Sequence, residues 1–209
     1  LVSPQDAPKR YEDLLNPKWK EKMSLDSSSE DWFAGVLHIM GKEKGMDYMT
    51  RLGEQDITLR KGHTLLLQVL VAGENSININ AYVQRAERYR NKGAPIEWVA
   101  LDPTLVSYNP IGMTVSPPHP NAAMLFIDFA LSMEGQKIVR ERGRPPARVD
   151  VEPLYPRLAK FTKGEIKTLP LAPQWTEYYA EYQKHHPHLL AKLGKKITMY
   201  FLLHPNIHF

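Results

Sequence analysis

The sequence predicts an α/β fold in which a mixed, partly parallel β-sheet is flanked by helices. Two observations lead to this prediction. Strand-like and helix-like segments follow one another along residues 21–101 in the order strand, helices, strand, helix, strand. The connections between the predicted strands contain helices, as parallel strands require, because each connection must return to the starting end of the sheet.

The first predicted strand covers residues 21–26 (EKMSLD) and follows a short predicted helix at residues 11–15 (YEDLL). After it, apolar residues recur at the spacing of one helix face, at Trp32, Phe33, Val36, Leu37 and Met40. Gly41 and Gly45 are the expected stop signals of this helix. A further helix is predicted at residues 46–56.

The next helix is predicted at residues 63–74 and is expected to end at Gly73. The strand after it, residues 76–80 (SININ), alternates isoleucines with asparagines, so that apolar groups share one face and amides the other. A helix at residues 81–93 and a strand at residues 95–101 (PIEWVAL) complete the predicted α/β region.

Residues 104–116 are expected to be extended, because prolines follow closely and no period is sustained. The helix predicted at residues 121–132 (NAAMLFIDFALS) is almost wholly apolar, which predicts burial on most of its sides. An amphipathic helix follows at residues 134–143 and is expected to end at Gly143.

Composition excludes several classes of function. The chain has 209 residues, a net charge of +4 and no cysteine, which excludes disulfide frameworks, thiolate zinc sites and cysteine nucleophiles. Its basic residues are scattered among nearly as many acids, so no nucleic-acid partner is predicted. Residues 41–45 (GKEKG) do not match a phosphate-binding loop, and no nucleophile with a positioned base is recognisable. Neither an enzyme nor a cofactor is predicted.

Two motifs carry a resemblance to a known family. They are His-Pro-Asn-Ala-Ala at residues 119–123 and Ser-x-Glu-Gly-Gln at residues 132–136. Together they resemble the bacterial extracellular solute-binding proteins of ABC transporters, in the ferric-iron-binding-like branch of the type 2 periplasmic binding proteins. The resemblance covers about residues 10–153. It implies a type 2 periplasmic-binding-protein-like lobe, a periplasmic or extracellular location, a membrane permease as partner and no catalytic residues.

The resemblance also implies a division of the chain into four parts: a crossing segment with a first helix (1–19), an α/β second lobe (20–103), a return crossing with helices near the hinge (104–150), and an irregular and helical tail (151–209). Most of the family's first lobe is not expected in this sequence, so the two-lobe architecture is incomplete. A fragment, a truncated product and exchange with a second chain all remain open.

Ligands of open α/β sheets bind at the carboxyl ends of the strands. The candidate ligand-binding residues at these ends are Ser27, Ser28, Ser29, Asn78, Asn80, Tyr82 and Asp102. The serines precede a helix, whose first N–H groups favour an anion; the alternative is an ordinary helix cap. The amides and the phenol offer polar contacts; the alternative for the asparagines is simple exposure to solvent.

No metal site is predicted. The iron-binding relatives carry two adjacent tyrosines near residue 82, whereas this sequence has Ala81 before Tyr82, which argues against iron. Tyr178 and Tyr179 belong to an aromatic stripe typical of packing. The histidines of residues 185–188 (HHPH) are interpreted as part of a loop.

The sequence therefore predicts an importer component that captures a small polar or anionic ligand between two lobes, with ferric iron or an organic anion as examples. The lobes would close about a hinge near residues 3–10 and 104–116. The alternative is a truncated or domain-swapped lobe that acts as an interaction or assembly protein, with a homodimer formed through its exposed surface.

Overall fold

The computed structural model describes residues 2–171. These residues form two compact units, which are described separately: residues 2–81 with Leu171, and Tyr82–Pro170. The four-part division given above stays a prediction. No helix within residues 2–171 is both long enough and apolar enough to cross a membrane.

The first unit is built on a three-stranded parallel sheet with the strand order β2-β1-β3. Strand β1 is Met23–Asp26, β2 is Thr58–Arg60 and β3 is Ile77–Asn78. Both neighbours run parallel to β1, with Asp26 opposite Arg60 and Ser24 opposite Asn78. The predicted α/β class with a partly parallel sheet is confirmed.

Three helices connect these strands: α1 (Glu30–Met40), α2 (Lys42–Gly53) and α3 (His63–Val71). Helix α3 contacts β1 and β3, and α1 packs against α2. The apolar face predicted for α1 lies in the core, since Phe33, Val36 and Leu37 are all buried. Two short 3-10 turns, Tyr11–Leu15 and Pro17–Trp19, precede the sheet.

Two local predictions in this unit were wrong or incomplete. Gly45 does not end α1 but lies inside α2, where a Cβ would come within 2.9 Å of the Leu37 Cα. A glycine at this position therefore allows the two helices to approach closely. Strand β2 was not predicted, because its three residues are too few to show a period.

The second unit contains α4 (Val83–Asn91), β4 (Thr104–Val106), α5 (Pro120–Leu131), α6 (Met133–Glu141), a 3-10 turn (Pro156–Leu158), α7 (Ala159–Thr162) and β5 (Thr168–Pro170). Strands β4 and β5 pair in parallel. The stops predicted at Gly93 and Gly143 are confirmed by their left-handed backbones.

The strand predicted at residues 95–101 is not formed. Trp98 in its middle is held by side-chain contacts instead: its indole Nε1 donates to Glu87, and its ring stacks on Phe161 at 5.9 Å between centroids. Trp98 therefore contacts other side chains and does not belong to a β-strand, although the composition of its segment is typical of one. Residues 101–103 consequently lead into β4, which begins at Thr104, and do not follow a strand.

The burial predicted for α5 was also wrong. None of its residues is buried, and Leu125 and Phe126 are 71% and 63% exposed. An apolar helix is buried only where other elements cover it, and within the second unit its contact with α6 covers part of one side.

The Ser-x-Glu-Gly-Gln motif forms the junction between α5 and α6. The Ser132 hydroxyl accepts from Gly135 N–H at 3.1 Å as an N-terminal cap. A Cβ on Gly135 would lie 2.2 Å from the Phe129 carbonyl oxygen, so only glycine fits. The buried amide of Gln136 donates to the Ala130 carbonyl at 2.7 Å and accepts from Ala147 N–H at 2.7 Å. This motif therefore has a structural role.

Candidate ligand-binding site

The carboxyl ends of the three parallel strands of the first unit bring several polar residues to one edge of the sheet. Strand β1 leads into Ser27, Ser28 and Ser29, while β3 leads into Asn80. Because Ser24 is opposite Asn78, the register continued by two residues places Asn80 level with Asp26. We call Asp26, these three serines, Gly62, His63, Asn78 and Asn80 the strand-end cluster.

Asp26 is the centre of the strand-end cluster, and the sequence analysis missed it. Its side chain is buried, and its Oδ1 accepts from the N–H and the hydroxyl of Ser28 at 2.8 and 2.5 Å. Its Oδ2 accepts from Gly62 N–H at 2.6 Å and lies 4.0 Å from His63 Nε2. An acid two residues before a serine is a signal for such a turn, but the partners across β2 are not visible in the sequence.

These contacts determine the charge of Asp26. Burial on its own would raise the pKa of the carboxyl group, but hydrogen bonds from Ser28 and Gly62 and the charge of a protonated His63 favour the ionised form. The net result is a pKa below the usual range of aspartate. Asp26 is therefore a buried carboxylate at neutral pH, and it already uses three of the donors at this edge.

The three serines differ in their surroundings. Ser28 is exposed, Ser27 is half-buried and donates its N–H to the Arg60 carbonyl at 3.2 Å, and Ser29 is buried. Ser29 is the residue before α1, yet its hydroxyl makes no capping hydrogen bond. It accepts instead from Asn80 Nδ2 at 2.6 Å. The ordinary cap considered for this loop is thus not formed by the Ser29 side chain.

The two asparagines are not simply exposed to solvent. The amide nitrogen and oxygen of Asn78 are both buried and have no hydrogen-bonding partner in the protein. The Oδ1 atom of Asn80 is likewise buried and unpaired. Asn80 also has a φ of 54°, a left-handed conformation that asparagine tolerates better than most residues.

Tyr82 and Asp102 belong to the second unit. Tyr82 is 42% exposed, and the Arg85 guanidinium lies 5.7 Å from its ring centroid. Asp102 is exposed, 3.6 Å from Lys167 Nζ, at the start of β4 and not at the end of a strand. Their ligand-binding roles stay predictions, as do those of the serines and asparagines.

Within residues 2–171, no group of three or more His, Asp or Glu side chains is arranged to hold a metal ion. The tyrosine pair Tyr178 and Tyr179 and the histidines of residues 185–188 lie outside the described residues.

The chain matches a family model described as bacterial extracellular solute-binding protein over residues 2–165. It belongs to this family. The resemblance to solute-binding proteins is thereby confirmed, whereas membership of the ferric-iron-binding-like branch stays a prediction. No curated protein matched the chain closely enough to be reported.

Among solved structures, the chain is similar to one titled "Structure of the periplasmic binding protein P5PA", with a TM-score of 0.59 and 22% sequence identity. The similarity covers 94% of this chain and 60% of that one. It supports a periplasmic-binding-protein fold, of which this chain spans only part.

Proposed function

We propose that this protein is the extracellular or periplasmic solute-binding component of an ABC importer, and that its strand-end cluster contacts a small polar or anionic solute. The observation that carries the proposal is the position of Asn78 and Asn80. Their unpaired amide atoms lie at the carboxyl edge of a parallel sheet, where ligands of such sheets bind, in a member of a solute-binding family.

Each residue has a proposed role. Ser27, Ser28 and Ser29 contact one polar end of the solute, and Asn78 and Asn80 contact its other polar groups. Since Ser28 already donates its N–H and its hydroxyl to Asp26, it contributes mainly acceptor lone pairs.

Further contacts are proposed for Tyr82 and Asp102 of the second unit. An ABC permease would receive the solute after the lobes open. Closure would be driven by contacts that the solute makes only in the closed state.

A small inorganic anion is less well suited to this loop than the sequence indicated. Asp26 is a negative charge in the same turn, and Glu30 and Asp31 follow in the first turn of α1. Like charges at short range are unfavourable in a buried site. We therefore favour a solute that carries other polar groups besides any anionic one.

The alternative function is assembly, and α5 is the observation that favours it. Its exposed side chains Met124, Leu125 and Phe126 form an apolar surface of the kind that protein interfaces cover. A homodimer that forms through α5 and shows no response to solutes would support this alternative.

Native mass spectrometry of protein purified without refolding tests the proposed function. We expect a retained solute, and a monomer in size-exclusion chromatography. Ser29→Ala combined with Asn80→Ala is expected to lose the solute, while Thr50→Ala, on the exposed face of α2, is the matched control that keeps it. An obligate dimer without any retained solute would count against the proposal.

A further inference from the structure

The hydrogen-bonding atoms of the strand-end cluster are unevenly satisfied. Four donors are used within the cluster: the N–H and hydroxyl of Ser28 and the N–H of Gly62 donate to Asp26, and Asn80 Nδ2 donates to Ser29. The side-chain amide atoms left over are two acceptors, Asn78 Oδ1 and Asn80 Oδ1, and one donor, Asn78 Nδ2. Two of these three buried and unpaired amide atoms are therefore acceptors.

Asn78 differs from the other partly unpaired side chains of residues 2–171. Gln55 leaves its Oε1 unpaired but donates from Nε2 to the Leu15 carbonyl at 3.0 Å. Arg157 leaves Nη1 without a well-aligned hydrogen bond but contacts Glu97 at 2.7 Å through Nη2. Asn78 has neither amide atom bonded. Burying an amide without hydrogen bonds is unfavourable, so an unpaired amide in a native protein calls for a functional explanation.

We infer that the solute carries hydroxyl or amino groups that donate hydrogen bonds to the side-chain oxygens of Asn78 and Asn80, in addition to the polar or anionic end that it presents to the serines. This inference rests on the proposed function and names its substrate class: small hydroxylated or aminated acids and related polar compounds. A hydroxyl can donate its hydrogen to one amide oxygen and accept from the Asn78 nitrogen, whereas an ammonium group can donate to both amide oxygens.

The selectivity expected from this arrangement is large. A site whose buried polar groups pair with a ligand hydroxyl discriminates strongly against the analogue that lacks it, because the site's own groups then stay unpaired. A solute without such a donor would leave both amide oxygens buried and unbonded.

The first test needs no ligand. Replacing an unpaired buried amide by an apolar side chain of similar size removes a cost, whereas replacing a bonded one leaves its partners unpaired. Asn78→Leu is therefore expected to keep or raise the melting temperature of the solute-free protein. Gln136→Met, which removes a buried amide bonded at both ends, is expected to lower it by about 4 °C or more. If Asn78→Leu lowers the melting temperature as much as Gln136→Met, the Asn78 amide is satisfied in the free protein and the inference fails.

The second test measures selectivity by titration calorimetry with matched probes: glycolate against acetate, and malate against succinate. The wild type is expected to bind the hydroxylated member at least tenfold more tightly, and Asn78→Leu to lose that preference. Equal binding of both members would overturn the inference while leaving solute binding intact. If no solute is retained in native mass spectra of the purified protein, the proposed function fails instead. The comparison of melting temperatures then still shows whether the Asn78 amide is hydrogen-bonded in the free protein.

Discussion

Asn78 in the first unit and Gln136 in the second are two side-chain amides withdrawn from water, and they are treated in opposite ways. Gln136 bonds through both ends and joins α5 to the segment after α6. Asn78 ends a strand and bonds through neither. Gln136 thus uses its buried amide to hold the second unit together, whereas the proposed function assigns the unpaired amide of Asn78 to a solute.

Glu87 gives the largest expected effect and sharpens this comparison. Its buried carboxylate accepts from Trp98 Nε1 and Asn91 Nδ2 and lies 3.2 Å from Arg157 Nη1. Glu87→Ala should leave these groups without their carboxylate partner and lower the free energy of unfolding by about 3 kcal/mol. This value is at the low end of the range for breaking a buried ion pair, because Arg157 is partly exposed to solvent. Urea denaturation of wild type and variant measures this change in the free energy of unfolding. Glu165→Ala on the surface is the control, and a Glu87 effect no larger than that of Glu165 would contradict the structural role.

Asp26→Asn is expected to have the next largest effect. Its carboxylate accepts three hydrogen bonds, and an amide in its place would turn a donor toward Ser28 or Gly62. We expect a loss of about 2 kcal/mol in the free energy of unfolding at neutral pH.

The effect of Asp26→Asn should depend on pH. Because the pKa of Asp26 is lowered by folding, its stabilisation is present above the ordinary aspartate pKa of about 4 and is lost as the pH falls through the lower folded value. Denaturation curves recorded between neutral and acidic pH should show wild type and variant converging in acid. A difference that stays constant with pH would show that Asp26 is not ionised as described.

Tyr48→Phe should cost less, about 1 kcal/mol. The buried Tyr48 hydroxyl donates to the Tyr11 carbonyl at 3.0 Å, and the variant loses this buried hydrogen bond. Burial raises the pKa of Tyr48 well above its usual value. Thermal unfolding measures the loss, with the half-buried Tyr89→Phe as a control. No loss in Tyr48→Phe would mean that the hydrogen bond from Tyr48 to Tyr11 does not stabilise the first unit.

Asn78→Leu completes the series with the smallest expected effect on stability, and its comparison with Gln136→Met is given above. Its effect on binding is expected to be the largest of the set, since it removes the amide proposed to contact the solute.

Part of this account could be predicted from the sequence. The helical spacing of Phe33, Val36 and Leu37 predicted α1. The alternation of isoleucine and asparagine at residues 76–80 indicated Asn78 and Asn80 as candidate ligand-binding residues. These are local signals, because one element carries all the residues that make the pattern.

What could not be predicted depends on residues distant in sequence. Asp26 accepts a hydrogen bond from Gly62, which follows the neighbouring strand β2 and lies 36 residues away in sequence. Trp98 is held by its hydrogen bond to Glu87 in α4. The exposure of α5 depends on how much chain surrounds it, which its own apolar composition does not reveal. The strand conformation of β2 likewise depends on its pairing with β1 and not on the identity of its own three residues.

The proposed function depends most on one interaction, in which a solute bonds to the unpaired atoms of Asn78 and Asn80. A high-resolution crystal structure of the protein, purified without refolding, tests it most directly. We predict a bound small molecule with a hydroxyl or amine within hydrogen-bonding distance of Asn78 Oδ1 and Asn80 Oδ1. A structure in which these oxygens bond to the protein's own groups, with the solute bound elsewhere or absent, would contradict the account.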